Sequence, residues 1–141
     1  MNPSTRLRVN LDRPFDFTGK GAVITGGGGV LCSVLARALA QCGTSVAVLD
    51  INLPAAEKVA DEIHTQGHQA IAIQADVLDK ESLLAAAQRV TEAFGHIDIL
   101  INGAGGNSKE ATTSDELSFF DLPADAIRWV FDLNFVGTLL P

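Results

Sequence analysis

Four consecutive glycines occupy positions 26–29, between a short apolar run and an amphipathic pattern that begins at position 30. The run at 21–25 is typical of a strand, and the pattern at 30–41 predicts a helix. Backbone N–H groups in such a turn, together with the positive end of a helix dipole, bind phosphate groups. Without side chains, the backbone can also approach a pyrophosphate closely. The turn therefore predicts a dinucleotide site formed by Gly26, Gly28, Gly29, Val30 and Leu31.

An acidic residue closes the next apolar run, at 45–50. Asp50 follows Gly26 by 24 positions. At the carboxyl end of a parallel strand, a carboxylate can accept hydrogen bonds from both hydroxyls of an adenosine ribose. Asp50 could instead cap the helix that begins near Pro54, but Asn52 is available for that role. We therefore expect Asp50 to bind the ribose, with Ile51 beside it in the same site.

Two more strand ends carry residues suited to a nucleotide. Asp76 and Val77 follow the run at 69–74, where a carboxylate beside an apolar wall could accept a hydrogen bond from an adenine amino group. Asp76 could also be an ordinary loop acid. Asn102, Gly103 and Ala104 end the run at 97–102. Their small size leaves room for a nicotinamide riboside, and the Asn102 amide could tie neighbouring strands together. This segment could also be only a flexible exit from the strand.

Asn134 lies on the apolar stripe of the last helical pattern, with Ile127, Val130 and Phe131. A stripe of this kind predicts a face directed at the core. Because a buried amide needs hydrogen-bond partners, an inward asparagine indicates a polar site. A backbone carbonyl could equally satisfy it.

Alternating strands and helices must position these residues. Strands are predicted at 21–25, 45–50, 69–74 and 97–102, and helices at 30–41, 54–66, about 79–94 and from 123 onward. Strict alternation with short connections predicts a parallel sheet with right-handed crossovers. We expect a doubly wound α/β fold of the Rossmann type, of which this is the N-terminal half, with strand order 3-2-1-4. The helical residues expected to face inward are Leu31, Leu35, Ala38, Leu39, Val59, Ala60, Ile63, Leu83, Ala87, Val90 and Phe94.

Two segments fall outside this alternation. Residues 1–18 are polar and contain two prolines, so we expect a mobile N-terminal arm whose Phe15 and Phe17 pin its end to the domain at 19–141. Residues 103–122 are rich in Ser, Thr, Gly and Asp. A loop of this length in a compact domain is usually functional or disordered.

Composition excludes several classes of partner. A net charge of −7 over 141 residues argues against nucleic acid and anionic membranes as partners. No apolar run is long enough to span a bilayer, and residues 1–10 do not form a signal peptide. Cys32 and Cys42 lack ligand spacing, so we expect free thiols in the cytoplasm. His64, His68 and His96 lack it too, so we expect surface histidines and no metal site.

Together these motifs resemble the short-chain dehydrogenase/reductase family. The resemblance runs from about position 15 to the end of the chain, through Thr-Gly-Gly-Gly-Gly at 25–29, the acid at 50, Asp-Val at 76–77, Asn-Gly-Ala-Gly at 102–105 and Asp-Leu-Asn-Phe-Val-Gly at 132–137. It implies an NAD-dependent oxidoreductase that interconverts a hydroxyl and a carbonyl. The family reaction uses Asn, Ser, Tyr and Lys, and Asn134 matches the first of these catalytic residues.

Within that family, three segments resemble a D-mannonate oxidoreductase subgroup, which interconverts mannonate and fructuronate. They are Thr-Gly-Gly-Gly-Gly-Val-Leu-Cys at 25–32, Ile-Asn-Gly-Ala-Gly-Gly-Asn at 101–107 and Phe-Asp-Leu-Asn at 131–134. The resemblance implies a polyol or sugar acid as the small-molecule substrate and a dimer or tetramer for the full-length enzyme. For the cofactor, Asp50 would repel a 2′-phosphate, and no Arg or Lys stands at 26–33 or 51–53 to neutralise one. NAD is therefore expected rather than NADP.

The sequence departs from the family pattern at three places. Val30 and Cys32 stand where the family turn has its later glycines. Because Val does not readily adopt a positive φ, we expect a regular start to the helix, with Cys32 small enough for close packing. Gly103 replaces the second asparagine of the family's Asn-Asn-Ala-Gly.

The third departure is that the sequence contains no tyrosine, so the family's Tyr-x-x-x-Lys is absent. We expect the N-terminal, cofactor-binding half of such an enzyme, truncated before that region and inactive alone. The alternative is a non-catalytic NAD-binding fragment or pseudoenzyme. A methyltransferase on a similar sheet is disfavoured, since its site would not require Asn-Gly-Ala-Gly and the asparagine on the next helix. In the predicted strand order, the strand at 97–102 lacks a neighbour, so we expect the isolated chain to be oligomeric, aggregated or partly molten.

Overall fold

Four short apolar runs form one parallel sheet in the computed structural model, which describes residues 15–141. The strands are β1 (Gly21–Thr25), β2 (Ser45–Asp50), β3 (Ala70–Gln74) and β4 (Ile99–Asn102). Their order is β3-β2-β1-β4, which confirms the predicted fold and strand order. Thr25 is in register with Leu49 on one side and Asn102 on the other, so the strands' carboxyl ends are level.

The helices begin and end close to where the sequence predicts. They are α1 (Val30–Gln41), α2 (Leu53–Thr65), α3 (Lys80–Phe94), α4 (Ala124–Phe131) and α5 (Gly137–Leu139). Asp79 caps α3 by accepting a hydrogen bond from the Glu81 N–H at 3.0 Å, and Gly95 ends it with φ of 85°. Between α4 and α5 the chain forms a π-helical turn, Asp132–Val136. The polar loop contains two short 3-10 turns, Lys109–Ala111 and Phe119–Asp121.

Alternate residues of the strands pack into two separate hydrophobic cores, one on each face of the sheet. On one face of the sheet, Ile24, Val46 and Val48 pack with buried residues of α1 and α2. On the other face, Val23 and Leu49 join a cluster that includes Ala86 and Val90 of α3. Burial on both faces explains why the two central strands, β1 and β2, are almost continuously apolar. No helix within residues 15–141 is long and apolar enough to cross a membrane.

The predicted inward face of α1 is wrong. The helix buries Cys32, Ser33, Ala36 and Ala40, while Leu31, Leu35 and Ala38 are exposed and Leu39 is half-buried. Small side chains let the helix lie close to the sheet, and this sets a helical phase that turns the larger side chains outward. In α3, Ala86 is buried in place of Ala87, while Val90 is buried and Leu83 and Phe94 are half-buried. The predicted stripe of α2 is confirmed by the burial of Val59, Ala60 and Ile63.

The last helical region also differs from its predicted face. Ile127, Phe131 and Asn134 are exposed, and Val130 is half-buried. The residues directed at the body are instead Ala126, Val130, Leu133 and Gly137. The outward orientation begins before the π-helical turn, since Ile127 and Phe131 belong to α4, which buries its smaller Ala126 against the body in place of these large side chains.

Hydrogen bonds and an ion pair fix the segment before β1 and the start of β4. The predicted arm lies, for residues 1–14, outside the described part of the chain. Just before β1, the Phe17 N–H donates to the Cys42 carbonyl at 2.9 Å. β4 begins at Ile99 rather than at 97, because Asp98 is used otherwise: its carboxylate accepts the Gly21 N–H and pairs with Lys20, both at 2.9 Å.

Candidate cofactor site

The carboxyl ends of the strands open into a cavity of about 410 Å³ between the sheet and α4. Such a volume is within the range of small-molecule sites, and this edge of a parallel sheet is where α/β proteins bind ligands. The lining consists of Gly26, Gly29, Leu49, Asp50, Ile51, Ala75, Asp76, Val77, Gly103, Ala104, Gly105, Trp129 and Leu133.

The glycine turn forms one wall of this cavity. Gly26 has φ of 62°, a conformation that favours glycine, and a Cβ there would come within 2.9 Å of the Ala104 nitrogen. Gly29 is extended, with φ of −71°, and leads directly into α1. No side chain caps α1, so the N–H groups of its first turn are available to an anion. The regular helix start expected at Val30 is confirmed, since within residues 15–141 only glycines have positive φ.

Asp50 is fixed beside the turn by two backbone donors. Its Oδ2 accepts a hydrogen bond from the Gly28 N–H at 3.0 Å, and its Oδ1 accepts one from the Asn52 N–H at 2.9 Å. Each carboxylate oxygen retains acceptor capacity for a hydroxyl group. Burial raises the pKa of the Cys32 thiol, and the negative charge of Asp50 raises it further.

Asp76 and Val77 form the wall next to Asp50. The Asp76 carboxylate accepts the Leu78 N–H at 2.9 Å, and the Asp76 N–H donates to the Ser82 hydroxyl at 3.0 Å. These bonds fix the turn that follows β3. Val77 is buried and supplies an apolar surface beside the carboxylate.

Thr25 anchors the opposite wall, where the chain leaves β4. Its Oγ1 accepts hydrogen bonds from the N–H groups of Gly103 at 3.1 Å and Ala104 at 3.2 Å. Thr25 is only 1% exposed, so this anchor lies at the base of the site. The Asn102 amide donates to the Thr138 carbonyl at 3.1 Å. It therefore ties β4 to α5 rather than to a neighbouring strand.

Asn134 holds the loop beyond this wall. Its amide nitrogen donates to the carbonyls of Gly106 and Val130, both at 2.7 Å. Its Oδ1 accepts the Gly106 N–H at 3.1 Å. These bonds use both amide hydrogens and connect the loop to α4, so the side chain is held by backbone groups although it is exposed.

Most of the residues predicted to bind a cofactor line the cavity: Gly26, Gly29, Asp50, Ile51, Asp76, Val77, Gly103 and Ala104. The others surround it. The Gly28 N–H donates to Asp50, and the Asn102 amide donates to the Thr138 carbonyl. Val30 and Leu31, at the start of α1, are 86% and 80% exposed. The predicted catalytic residue, Asn134, makes the bonds to Gly106 and Val130 described above. Sequence reasoning missed Thr25, Leu49, Ala75, Gly105, Trp129 and Leu133. The sole tryptophan, on an amphipathic segment after a polar loop, was the available signal for Trp129.

The parallel sheet, the glycine turn and the acid at the end of β2 define a Rossmann-type α/β domain. The chain belongs to the short-chain dehydrogenase family, whose model matches residues 20–141.

Relatives of known sequence include an uncharacterised oxidoreductase of Haemophilus influenzae, 43% identical over 94% of this chain and 50% of the relative. Another is the 7alpha-hydroxysteroid dehydrogenase of Escherichia coli strain K12, 38% identical over 82% of this chain and 42% of that protein. The chain thus spans about half the length of the curated relatives it matches.

Among solved structures, a candidate D-mannonate oxidoreductase from Haemophilus influenzae with bound NAD superposes with a TM-score of 0.88. It is 43% identical, over 94% of this chain and 51% of its own. An NAD⁺-bound xylitol dehydrogenase superposes with a TM-score of 0.78 at 31% identity, over 88% of this chain and 45% of its own.

Proposed function

We propose that this chain is the NAD-binding part of an oxidoreductase that interconverts a hydroxyl and a carbonyl on a polyol or sugar acid. D-mannonate and fructuronate are the preferred pair. The observation that carries the proposal is Asp50, held against the glycine turn by the 3.0 Å bond from Gly28 at the edge of the cavity. The similarity to the NAD-bound D-mannonate oxidoreductase structure supports both the cofactor and the substrate.

The residues around the cavity fit the parts of NAD. The N–H groups of Val30 and Leu31 face the region where a pyrophosphate would lie, because α1 starts there without a side-chain cap, whereas the Gly29 N–H already donates to the Gly26 carbonyl at 3.0 Å. Asp50 and Ile51 would hold the adenosine ribose, and Asp76 with Val77 would border the adenine. Asn102, Gly103 and Ala104 would lie toward the nicotinamide. When bound, NAD supplies the hydride acceptor.

Charge favours NAD over NADP. The cavity lining carries two carboxylates, Asp50 and Asp76, and neither Arg nor Lys. The nearby Arg37 is paired with Glu62 at 2.7 Å. Like charges a few ångströms apart in a partly wet site repel by about 1–4 kcal/mol, which is a loss of affinity for a 2′-phosphate of roughly fivefold to several hundredfold.

Cofactor binding can be followed through Trp129, which lines the cavity and is the only tryptophan in the sequence. Quenching of its emission by NADH and NADPH gives both affinities. We expect NADH to bind more tightly and Asp50→Ala to narrow the difference. Asp61→Ala, at an exposed acid on α2, is the matched control and should change neither affinity. Tighter binding of NADPH by the unmutated chain would overturn the assignment.

We also propose that the chain binds NAD without turning over substrate. Proton transfer to a reacting oxygen contributes about 10²–10⁴-fold to such reactions. The sequence has no tyrosine, and Asn102, Gly103, Ala104 and Asn134 do not exchange protons near neutral pH. A non-catalytic NAD-binding protein is therefore the second candidate function.

Reduction of NAD by the chain with D-mannonate distinguishes the two candidates. The comparison is the same chain extended by any downstream Tyr-x-x-x-Lys region. Activity in the extended chain alone supports the oxidoreductase. Inactivity of both, with NADH still bound, favours the non-catalytic protein. Turnover by the short chain that is lost in Asn134→Ala contradicts our account of the site.

A homo-oligomer and a cytoplasmic location complete the proposal. An apolar stripe on the last helical region is exposed, with Ile127, Phe131, Phe135 and Leu139 at four-residue intervals. The rings of Phe131 and Phe135 stack with centroids 5.3 Å apart. Such a surface favours association. Cys32 and Cys42 are both free, which suits a reducing compartment.

A further inference from the structure

The Cys32 side chain packs against Gly103 at the base of the cavity, where a side chain at position 103 would otherwise lie. Cys32 lies on the first turn of α1, is 8% exposed and faces the point where the chain leaves β4. A Cβ built on Gly103 would overlap the Cys32 Sγ, whereas it would lie 3.6 Å from the Cys32 Cβ, an ordinary contact. The thiol therefore fills the volume that a side chain at position 103 would need.

This contact joins the two walls of the cofactor cavity. Gly103 lines the cavity and is bonded through its N–H to Thr25 on β1. Cys32 follows the glycine turn on the same helix whose first N–H groups face the proposed pyrophosphate position. Protein interiors are close-packed, so a change of volume at this contact moves one wall relative to the other.

From this packing we infer that Cys32 is a positioning residue for the cofactor: its sulfur, matched to the missing side chain of Gly103, sets the separation between the glycine turn and the β4 exit. The inference rests on the proposed binding of NAD. It assigns the thiol a role through its size and not through its reactivity.

Gly103→Ala is the direct test, with NADH affinity measured by Trp129 quenching and stability by thermal melting. In the Cys32 background we expect at least a roughly tenfold loss of NADH affinity and a melting temperature lower by about 5 °C or more. In the Cys32→Ala background the same change should cost clearly less in affinity and clearly fewer degrees. A residual loss of both is expected there, because the new Cβ also lies 2.9 Å from the Thr25 carbonyl oxygen, a backbone atom that must shift to admit it.

Two further variants separate size from other causes. Cys32→Ser keeps a γ atom at this position, with oxygen in place of sulfur, so Gly103→Ala should remain harmful beside it. Gly106→Ala is the matched control on the same loop: its Cβ would meet nothing nearer than Leu133 Cδ2 at 4.0 Å, and its φ is not positive. We expect it to bind NADH within about twofold of the unmutated chain.

The outcomes are distinguishable. If the unmutated chain binds no NADH, the proposed function fails, and the melting temperatures alone decide whether positions 32 and 103 are coupled. Equal effects of Gly103→Ala with and without the Cys32→Ala change overturn the coupling. Coupled melting temperatures with unchanged NADH affinity overturn the positioning role. Recovery of both the melting temperature and the NADH affinity of Gly103→Ala when Cys32→Ala is added supports the positioning role.

Discussion

Thr25 offers the sharpest test of how the base of the site is built. In the structure its hydroxyl oxygen accepts two hydrogen bonds, from the N–H groups of Gly103 and Ala104, at 3.1 and 3.2 Å. Thr25→Val keeps the shape of the side chain but removes the acceptor. An N–H left without a partner in a buried place costs about 1–3 kcal/mol. Because Gly103 is exposed and Ala104 half-buried, water can reach these groups, so we expect a total loss of about 1–3 kcal/mol rather than twice that.

The matched variant is Thr25→Ser, which keeps the oxygen and removes one methyl group, at about 1 kcal/mol. Urea unfolding followed by circular dichroism gives both free energies, and Trp129 quenching gives NADH affinity. We expect Thr25→Val to lose NADH affinity as well, because the β4 exit is no longer held, while Thr25→Ser retains it. If the two variants bind NADH equally, the hydroxyl does not hold the site.

Three other predictions concern distinct parts of the chain. Cys42, which is half-buried, should react with a maleimide faster than Cys32, because the raised pKa and burial of Cys32 leave little thiolate. Mass spectrometry of the labelled peptides measures the two rates, and faster labelling of Cys32 contradicts the prediction. Replacing Phe131 and Phe135 with Asp should shift light-scattering mass toward the monomer, and an unchanged mass excludes that stripe as the contact. Hydrogen bonds from Lys20 and the Gly21 N–H hold the pKa of the Asp98 carboxyl below its usual range. Its contribution to stability is therefore complete above the unfolded pKa of about 3.9 and is lost as pH falls through the lower folded pKa. The gap in melting temperature between the unmutated chain and Asp98→Asn should close as pH falls below about 4, and a gap that stays constant refutes the assignment.

The sheet was predictable because each strand is short, apolar on both faces and followed by a turn residue. Those features are local, whereas the order of the strands was expected from the Rossmann topology and not from any local signal. Asp79 and Gly95 mark the ends of α3 for the same reason, since a cap acts through its own neighbours.

The helical faces were less predictable, because burial depends on what lies opposite. Leu31 is 80% exposed although it is the larger side chain, while the smaller Cys32 is buried against the β4 exit. Hydrophobicity alone ranks these two residues in the wrong order. Cys32 is buried because α1 lies close to the sheet, and that distance depends on the side chains of both the helix and the sheet.

Within the site, the residues at strand ends could be placed from the sequence, but their contacts could not. Asp50 was expected at the edge of the sheet, yet its bond to the Gly28 N–H depends on how the turn folds back over β2. Trp129 comes from a helix far along the chain, and no short-range spacing relates it to the glycine turn. Asn134 was predicted on the wrong face because the apolar stripe that it shares with Ile127 and Phe131 points outward, while α4 buries the smaller Ala126. The sequence also shows no mark of the π-helical turn that carries Asn134.

That turn has a consequence for how this chain can gain and lose residues. A π-helical turn accommodates one residue more than the α-helix that flanks it, without moving either flank. The segment Asp132–Val136 therefore contains one residue more than a continuous α-helix from α4 to α5 would hold. Deleting one residue there should leave the two flanking helices in position and restore regular helical spacing. The Asn134 amide would then no longer reach both Gly106 and Val130, so the loop that borders the cavity would be released by a change in length rather than in chemistry.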